Sequence, residues 1–331
     1  MANENSVIYR SIITSKFRTE KLLNFYNSVG DNANQITIYG TFGRSTPWSE
    51  NEKEVGFAPP FPTDSTAGVV DMWTHMMGAV KINKSLLDAV IPRKDWGDTG
   101  QDNPRTFFIN DIVVVNSAPY NRTDVGSGWM VYRVTDVPDR GYCSISSIDE
   151  KVECLKLGGK WTPNHESVAP PVGKGDSIDM GDGYRWEYLY TIPPDAAINR
   201  CTNEHIVVPF PDELRQDPAR WGYDNVITWY NDYNLLYRLK VVTLRFQAYM
   251  DSAQFPTSAL VGNTGFRQLS IILNPLEKKA RPSDPDVKAI KDKYQPQDLE
   301  PHSGEMIYME NRQPIVRSLD QTELVSVLFE F

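Results

Sequence analysis

The twelve residues Gly181–Ile192 read GDGYRWEYLYTI, and this stretch decides the fold of the chain. Side chains alternate between the two faces of a β-strand. One face therefore holds only rings, whereas the other is mixed; the rings are Tyr184, Trp186, Tyr188 and Tyr190, opposite Arg185, Glu187, Leu189 and Thr191. The glycines of Gly181-Asp182-Gly183 permit a tight turn before the strand, and Pro193-Pro194 ends it. The pattern predicts a central strand with abrupt ends.

The ring face allows two interpretations. Large rings are the largest apolar contribution that a sheet makes to a core or to a subunit interface. Four rings in a row also suit an open binding platform. We predict the role in a core or an interface, because burial is the more common use of large rings.

The composition favours a mainly β protein. The 331 residues include 16 Tyr, 8 Trp and 13 Phe alongside 23 Pro, which is typical of strands bounded by proline-rich connections. The net charge is −9 and no basic run occurs, so we expect no nucleic-acid partner. Because the sequence has neither a long apolar run nor a signal-peptide pattern, we expect no membrane association and synthesis in a cytoplasm.

Cysteine and histidine are sparse. Cys143 and Cys154 lie eleven positions apart and could close a small disulfide loop, while Cys201 stands apart. We predict that Cys143 and Cys154 are close in space but remain thiols, because disulfides are rare in a cytoplasm. The four histidines occur singly and without metal-ligand spacing. We therefore predict no metal site and no cofactor.

Hydrophobic periodicity predicts a few helices among many strands. Helices are predicted over Ser15–Val29, from a cap at Asp64 or Ser65 through Met77, and over Asp149–Leu157. The predicted strands are Ile36–Phe42, Leu86–Ile91, Phe107–Asn116, Trp129–Val137, His205–Phe210, Leu235–Met250, Phe266–Leu273, Ile307–Glu310, Pro314–Arg317 and Gln321–Phe331.

Four segments depart from this pattern. We predict an inserted Cys-containing excursion at the surface over residues 138–180 and a second, helix-bearing excursion over residues 194–222. Residues 277–301 are charged, punctuated by proline and without a core pattern, so we predict an extended arm. The proline-rich segment Arg44–Asp64 is predicted to be an extended loop. Proline-rich segments of this kind suit wrapping around other chains.

The search for chemistry yields no catalytic, cofactor-binding or metal-binding residue. Gly181-Asp182-Gly183 opens a strand, where a phosphate-binding loop would open a helix. Asp95 and Asp98 flank Trp96, a grouping that could bind a sugar or a cation; a solvated turn with one anchoring ring is the simpler interpretation. We predict that the protein is not an enzyme and has no small-molecule substrate.

Several long blocks carry a family resemblance. They are SVIYR (6–10), TSKFRTEK (14–21), DMWTHMMG (71–78), AVIPRKDWGD (89–98), ECLKLGGKW (153–161), GDGYRWEYLY (181–190) and GEMIYMENR (304–312). Together they resemble the dimeric wedge subunit in the baseplates of T-even-like contractile-tailed bacteriophages. The similarity covers nearly the whole chain and is weakest in the connecting loops at residues 30–34 and 173–180.

The resemblance implies a structural subunit of the phage tail baseplate wedge. It implies a layered β-sandwich with helix-bearing loops projecting at opposite sides, with residues 1–331 as one unit. It also implies a homodimer that joins other wedge proteins during tail assembly, made in the host bacterial cytoplasm and located in the virion. No catalytic or cofactor residue comes with it.

The alternative function is that of a carbohydrate-binding or carbohydrate-cleaving tail protein. Such a protein would use exposed rings beside carboxylates in an open groove. Trp96, Trp161 and the ring face of Tyr184–Tyr190 therefore distinguish the two functions. Buried rings favour the structural subunit.

Overall fold

The computed structural model describes residues 12–97, 105–116, 128–223, 234–251, 265–278, 292–316 and 322–331. The first block of the family resemblance, residues 6–10, and Asp98 lie outside these residues. Strands in several antiparallel sheets dominate the described residues, and the helices are short. The prediction of a mainly β fold is confirmed.

The helices of the described residues are α1 (Ser15–Ser28), α2 (Thr66–Thr74), α3 (Lys151–Lys156), α4 (Pro194–Asn199), α5 (Pro211–Gln216) and α6 (Asn234–Arg238). The strands are β1 (Ile38–Gly43), β2 (Met76–Lys81), β3 (Leu87–Pro92), β4 (Ile112–Asn116), β5 (Trp129–Asp136), β6 (Gly141–Cys143), β7 (Trp161–Pro163), β8 (Ile178–Asp179), β9 (Arg185–Ile192), β10 (His205–Val208), β11 (Thr243–Asp251), β12 (Gly265–Leu273), β13 (Lys293–Tyr294), β14 (Glu305–Val316) and β15 (Thr322–Glu330).

The chain forms two compact units. The first contains the described residues of 12–19 and 88–243, and the second contains those of 20–87 and 244–331. The prediction of one β-sandwich unit over residues 1–331 stays a prediction, as do the bounds of its excursions and arm.

The aromatic strand β9 lies inside the main sheet of the first unit. This sheet has the antiparallel order β4-β5-β9-β8, so β9 has a partner on each side. One face of the sheet covers a core of apolar side chains from all four strands and from the segments around them. Its fully buried members include Val113, Val115, Met130, Tyr132, Val134, Tyr184 and Trp186.

A β-bulge at Leu189 divides the predicted ring face. Tyr132 of β5 pairs with Tyr188, whereas the preceding Val131 pairs with Tyr190, so Leu189 is the extra residue of β9. An extra residue reverses the alternation of faces. Trp186 and Tyr188 therefore share the face of Tyr132, and Tyr190 lies on the opposite face with Val131. The prediction that all four rings share one face is wrong for Tyr190.

The segment 138–180 is less superficial than predicted. Strands β6 and β7 form a two-stranded sheet, and α3 lies between them in sequence. Trp161 and Cys154 are buried and belong to the same core as Trp186. The prediction of a short helix is confirmed. The prediction of a purely surface position is wrong, because these side chains complete the core of the first unit.

Cys143 and Cys154 form a disulfide. The predicted proximity is confirmed, and the prediction of two thiols is wrong. Gly159 lies directly against this bridge, since a Cβ atom at its position would lie 2.8 Å from Cys154 Sγ and 2.9 Å from Cys143 Sγ. The folding of β6, α3 and Gly159 onto one another brings the two sulfurs together. The cellular compartment, on which the prediction of thiols rests, gives no information on this geometry.

Within the first unit, the segment 194–222 is held by β10 and by an ion pair to a buried carboxylate. β10 pairs antiparallel with β3, and its last three residues are buried. Arg200, just after α4, donates from Nε to Asp88 Oδ1 at 2.7 Å and also binds Glu213 of α5. Asp88 lies on β3 and is completely buried. Arg200 therefore links this segment to β3 through Asp88 and to α5 through Glu213.

The second unit is built on a five-stranded antiparallel sheet with the order β13-β2-β1-β12-β14. All nine residues of β12 are buried. From Leu244 onward, β11 lies beside β15. In α1, which confirms the predicted helix, Leu22, Leu23 and Tyr26 are buried.

Two predicted boundaries within these units are wrong. Ser65 Oγ accepts from the Gly68 amide and caps α2 as predicted, but the helix ends at Thr74 and Met76 begins β2. Gly78 pairs with Phe42 inside the sheet and does not end a helix. In the first unit, the predicted strand Leu235–Met250 starts with α6 and becomes a strand only at Thr243.

The two ends of the predicted arm 277–301 are anchored to the second unit. Glu277 forms an antiparallel bridge with Leu299, and β13 pairs with β2. Tyr294 and Leu299 are buried in a core cluster with Tyr39, Trp73 and Ile272. These residues therefore stabilise the fold; residues 279–291 lie outside the described part of the chain.

Candidate functional site

The rings that the sequence singled out are mostly buried. Trp96 is 6 % exposed and Trp161 2 %, while Tyr184, Trp186 and Tyr190 are completely buried and Tyr188 is partly buried. The first unit therefore uses these large rings as core, and they do not form an open platform.

Trp96, Trp161 and Tyr190 each donate a hydrogen bond to a partner inside the first unit. Trp96 Nε1 donates to Ser167 Oγ at 3.2 Å, and Trp161 Nε1 donates to the Pro138 carbonyl at 3.1 Å. The Tyr190 hydroxyl donates to the Val207 carbonyl at 2.8 Å. Burial raises the pKa of Tyr184 to about 12. A phenol with such a pKa stays protonated and neutral near pH 7.

The carboxylate beside Trp96 is occupied. Arg93 Nε donates to both oxygens of Asp95, at 2.8 and 2.9 Å, and the Arg105 guanidinium lies 4.5 Å from the centre of the Trp96 ring. These contacts favour the simpler interpretation for Asp95 and Trp96, while Asp98 lies outside the described residues.

The methionine cluster around α2 is also core. Met72, Trp73 and Met76 are buried, while Val70 is half-exposed. Methionine is flexible and polarisable, which suits it to filling irregular space in a core. Among the residues that the structure describes, no group of three or more His, Cys, Asp or Glu side chains is placed to hold a metal ion.

A different surface stands out in the second unit. We call it the proline loop, residues 44–64, which the sequence predicts as an extended loop and which contains no helix or strand. Val55 is fully exposed and Phe61 is 95 % exposed. Single exposed apolar residues are common on protein surfaces. What marks Phe61 as a candidate contact is that the loop carrying it is held in place by the contacts described next.

The proline loop is fixed at its centre by a buried ion pair. Arg267 of β12 donates to both carboxylate oxygens of Glu52, from Nε at 2.5 Å and from Nη2 at 2.8 Å. The Glu52 side chain is 5 % exposed and that of Arg267 is 7 % exposed. The hydrogen bond from Arg267 lowers the pKa of Glu52. Arg267 Nη1 also donates to the Ser45 carbonyl at 2.8 Å.

The flanks of the proline loop are fixed by β14. Trp48 Nε1 donates to the Arg312 carbonyl at 3.0 Å. The amides of Asn311 and Gln313 donate to the carbonyls of Pro60 and Phe57, each at 2.9 Å. These contacts leave the side chain of Phe61 outside.

A groove of about 390 Å³ lies between the proline loop and α2. The Arg44 guanidinium covers the Trp48 ring at 4.1 Å on one side of it. Phe61, Pro62 and Met72 also line the groove. Sequence reasoning missed this site because Glu52 and Arg267 are 215 positions apart. The only local signal is Pro59-Pro60-Phe61-Pro62, which places an aromatic residue in a rigid extended segment.

The chain matches a family model described as Bacteriophage T4, Gp8, over residues 11–331. The chain belongs to this family. The family match covers the described parts of both units and the connecting segments.

A curated relative gives the same result. The baseplate wedge protein gp8 of Enterobacteria phage T4 is 65% identical over 333 residues, which is 99% of this chain and 100% of the relative. The predicted resemblance to baseplate wedge proteins is confirmed. None of the helices in the described ranges is long and apolar enough to cross a lipid bilayer.

Proposed function

We propose that this Gp8-family chain is a structural, non-enzymatic subunit of a phage tail baseplate wedge. The observation that carries the proposal is the 65% identity to the baseplate wedge protein gp8 of phage T4 over essentially the full length of both chains. At this identity over full length, the relative's structural role in the baseplate transfers to this chain, and with it a location in the virion tail.

The fold supports a structural role over a carbohydrate-acting one. A carbohydrate site needs rings exposed beside carboxylates in an open groove. Trp96 and Trp161 are buried, and Asp95 is bound by Arg93. The rings of Tyr184 and Trp186 are inside the core. These rings stabilise the first unit and are inaccessible to a polysaccharide.

We further propose that the chain forms a homodimer and joins other wedge proteins. Closed twofold symmetry is the most common way to bury a self-complementary surface without open-ended growth. A lasting interface of this kind buries on the order of 2,000 Å² or more. The predicted absence of nucleic-acid and membrane partners remains part of this proposal.

Two measurements test the proposal. Sedimentation equilibrium at micromolar concentration should give about twice the chain mass of 37.6 kDa; a single species at the monomer mass would refute the homodimer. The purified chain should bind a wedge complex assembled from the other baseplate wedge proteins of phage T4 without gp8. Failure of the wild-type chain to bind would refute the wedge function.

The role of the arm needs a narrower deletion than the whole of residues 277–301. Removing Tyr294 and Leu299 would damage the core of the second unit, because both are buried there. Replacing only residues 279–291 with a Gly/Ser linker keeps these anchors. We expect this variant to dimerise normally and to bind the wedge more weakly; normal binding would refute the role of the arm.

A further inference from the structure

We propose that the proline loop is a preformed docking element that inserts Phe61 into an apolar, aromatic-lined pocket with a basic rim on another wedge protein. The inference rests on the proposed wedge function and adds to it the contact surface and the chemistry of the partner. Contacts to β12 and β14 hold the loop tightly, yet the loop exposes the apolar ring of Phe61 to solvent.

The loop is held more firmly than an ordinary surface loop. Its centre is fixed by the buried Glu52–Arg267 pair and its flanks by hydrogen bonds from β14. Burying an ion pair carries a large desolvation cost. A loop that only connected β1 to α2 would not need such a contact. A fixed loop loses little conformational entropy on binding, which raises affinity.

The displayed segment matches a known mode of protein recognition. Proline fixes φ near −65° and keeps the preceding residue extended. Pro59, Pro60 and Pro62 therefore hold Phe61 in an extended segment, and Phe61 is 95 % exposed. Extended proline-rich segments dock into aromatic-lined grooves on partner proteins. A single aromatic anchor in a pocket commonly carries most of the binding energy of such a contact.

The charge of the loop indicates which residues surround the pocket on the partner. Glu50, Glu54 and Asp64 are exposed, and Lys53 is the exposed base among them. Glu52 is neutralised by Arg267. The exposed residues of the loop therefore include three acids and one base, so the loop that displays Val55 and Phe61 carries an excess of negative charge. Electrostatic complementarity then calls for Lys or Arg around the partner's pocket.

The test is the affinity of purified variants for the T4 wedge complex assembled without gp8, with their sedimentation and thermal denaturation measured in parallel. We expect Phe61→Ala to weaken wedge binding by about thirtyfold or more, as for a buried aromatic anchor, with unchanged folding and homodimer mass. The matched control is Ile198→Ala, because Ile198 is 79 % exposed in the first unit and lies outside the loop. We expect the control to bind like wild type.

The charge of the rim is tested by Glu50→Lys combined with Glu54→Lys. We expect this variant to bind several-fold more weakly and with less dependence on salt. Equal or tighter binding by the charge variant would refute the basic rim. A photo-cross-linker at position 61 should label apolar or aromatic residues flanked by Lys or Arg on another wedge protein.

Three outcomes would overturn the inference, and the first two leave the proposed wedge function intact. If wild type binds and Phe61→Ala binds within about twofold of it, the loop is not the docking element. If Phe61→Ala dissociates the homodimer, the loop contacts a second copy of the chain. If wild type does not bind the wedge complex at all, both the proposed function and this inference are wrong.

Discussion

Replacing Arg267 with methionine tests how the proline loop is held. The substitution keeps an unbranched apolar side chain but removes the guanidinium that binds both oxygens of Glu52. The Glu52 side chain is only 5 % exposed, so the variant leaves a carboxylate in a nearly dry site. Removing one partner of a buried ion pair costs about 3–5 kcal/mol. The same pair at an exposed surface would contribute at most about 1 kcal/mol.

We expect Arg267→Met to lower the free energy of unfolding of the second unit by about 3–5 kcal/mol. For a unit of this size, 1 kcal/mol shifts the melting temperature by about 2–4 °C, so the melting temperature should fall by about 10 °C. Hydrogen exchange of β1 and β12 peptides reports on this unit without interference from the first. Faster exchange should be confined to the second unit.

The control removes both charges. In Arg267→Met combined with Glu52→Leu, no charge is left buried, and apolar replacements of buried ion pairs are often neutral or stabilising. We expect the double variant to recover most of the lost stability. A loss below about 1 kcal/mol in the single variant, or an equal loss in the double variant, would refute the reasoning from buried charge.

Three further predictions concern stability. Arg200→Met should destabilise the first unit by about 3 kcal/mol in urea denaturation, because Asp88 is buried; Arg220→Met, whose partner Asp195 is exposed, should cost less than about 1 kcal/mol. Replacing Cys143 and Cys154 by serine should cost about 3 kcal/mol, and thiol titration of denatured, unreduced protein alkylated at lysis should detect only Cys201; detection of all three would contradict the disulfide. Arg267 lowers the pKa of Glu52. The contribution of ionised Glu52 to the free energy of unfolding should therefore be complete above its ordinary pKa of 4.5 and be lost as pH falls through the lower pKa of the folded state. The free energy of unfolding, measured from pH 6 to pH 3, should depend less on pH in Glu52→Gln.

The central strand shows what a local pattern predicts well and where it stops. Alternation and the flanking turn residues predict β9 and the burial of its rings, and both are observed. The bulge at Leu189 depends on how β9 pairs with β5, a partner more than fifty positions away in the chain. No residue type within Gly181–Ile192 marks it. The face of Tyr190 was therefore predicted wrongly.

The candidate site depends even more on distant pairings. The sequence predicts an extended loop at Arg44–Asp64 from its prolines, and this agrees with the structure. It does not predict that Glu52 reaches Arg267 or that β14 supports the loop. Without these contacts Phe61 is one more aromatic residue in a flexible segment. Their presence turns it into an aromatic residue displayed at a fixed place.

The burial of the aromatic rings limits which residues are available for an interface. The surplus of aromatic residues in the sequence suggests a face left over for a dimer, yet Tyr184, Trp186 and Tyr190 are completely buried within the first unit. The cores of the units therefore leave fewer rings for an interface than composition implies. Among the described residues, exposed apolar side chains include Phe61 on the proline loop and Tyr142 on β6. A subunit whose core is complete can contact another protein through displayed residues without exposing that core.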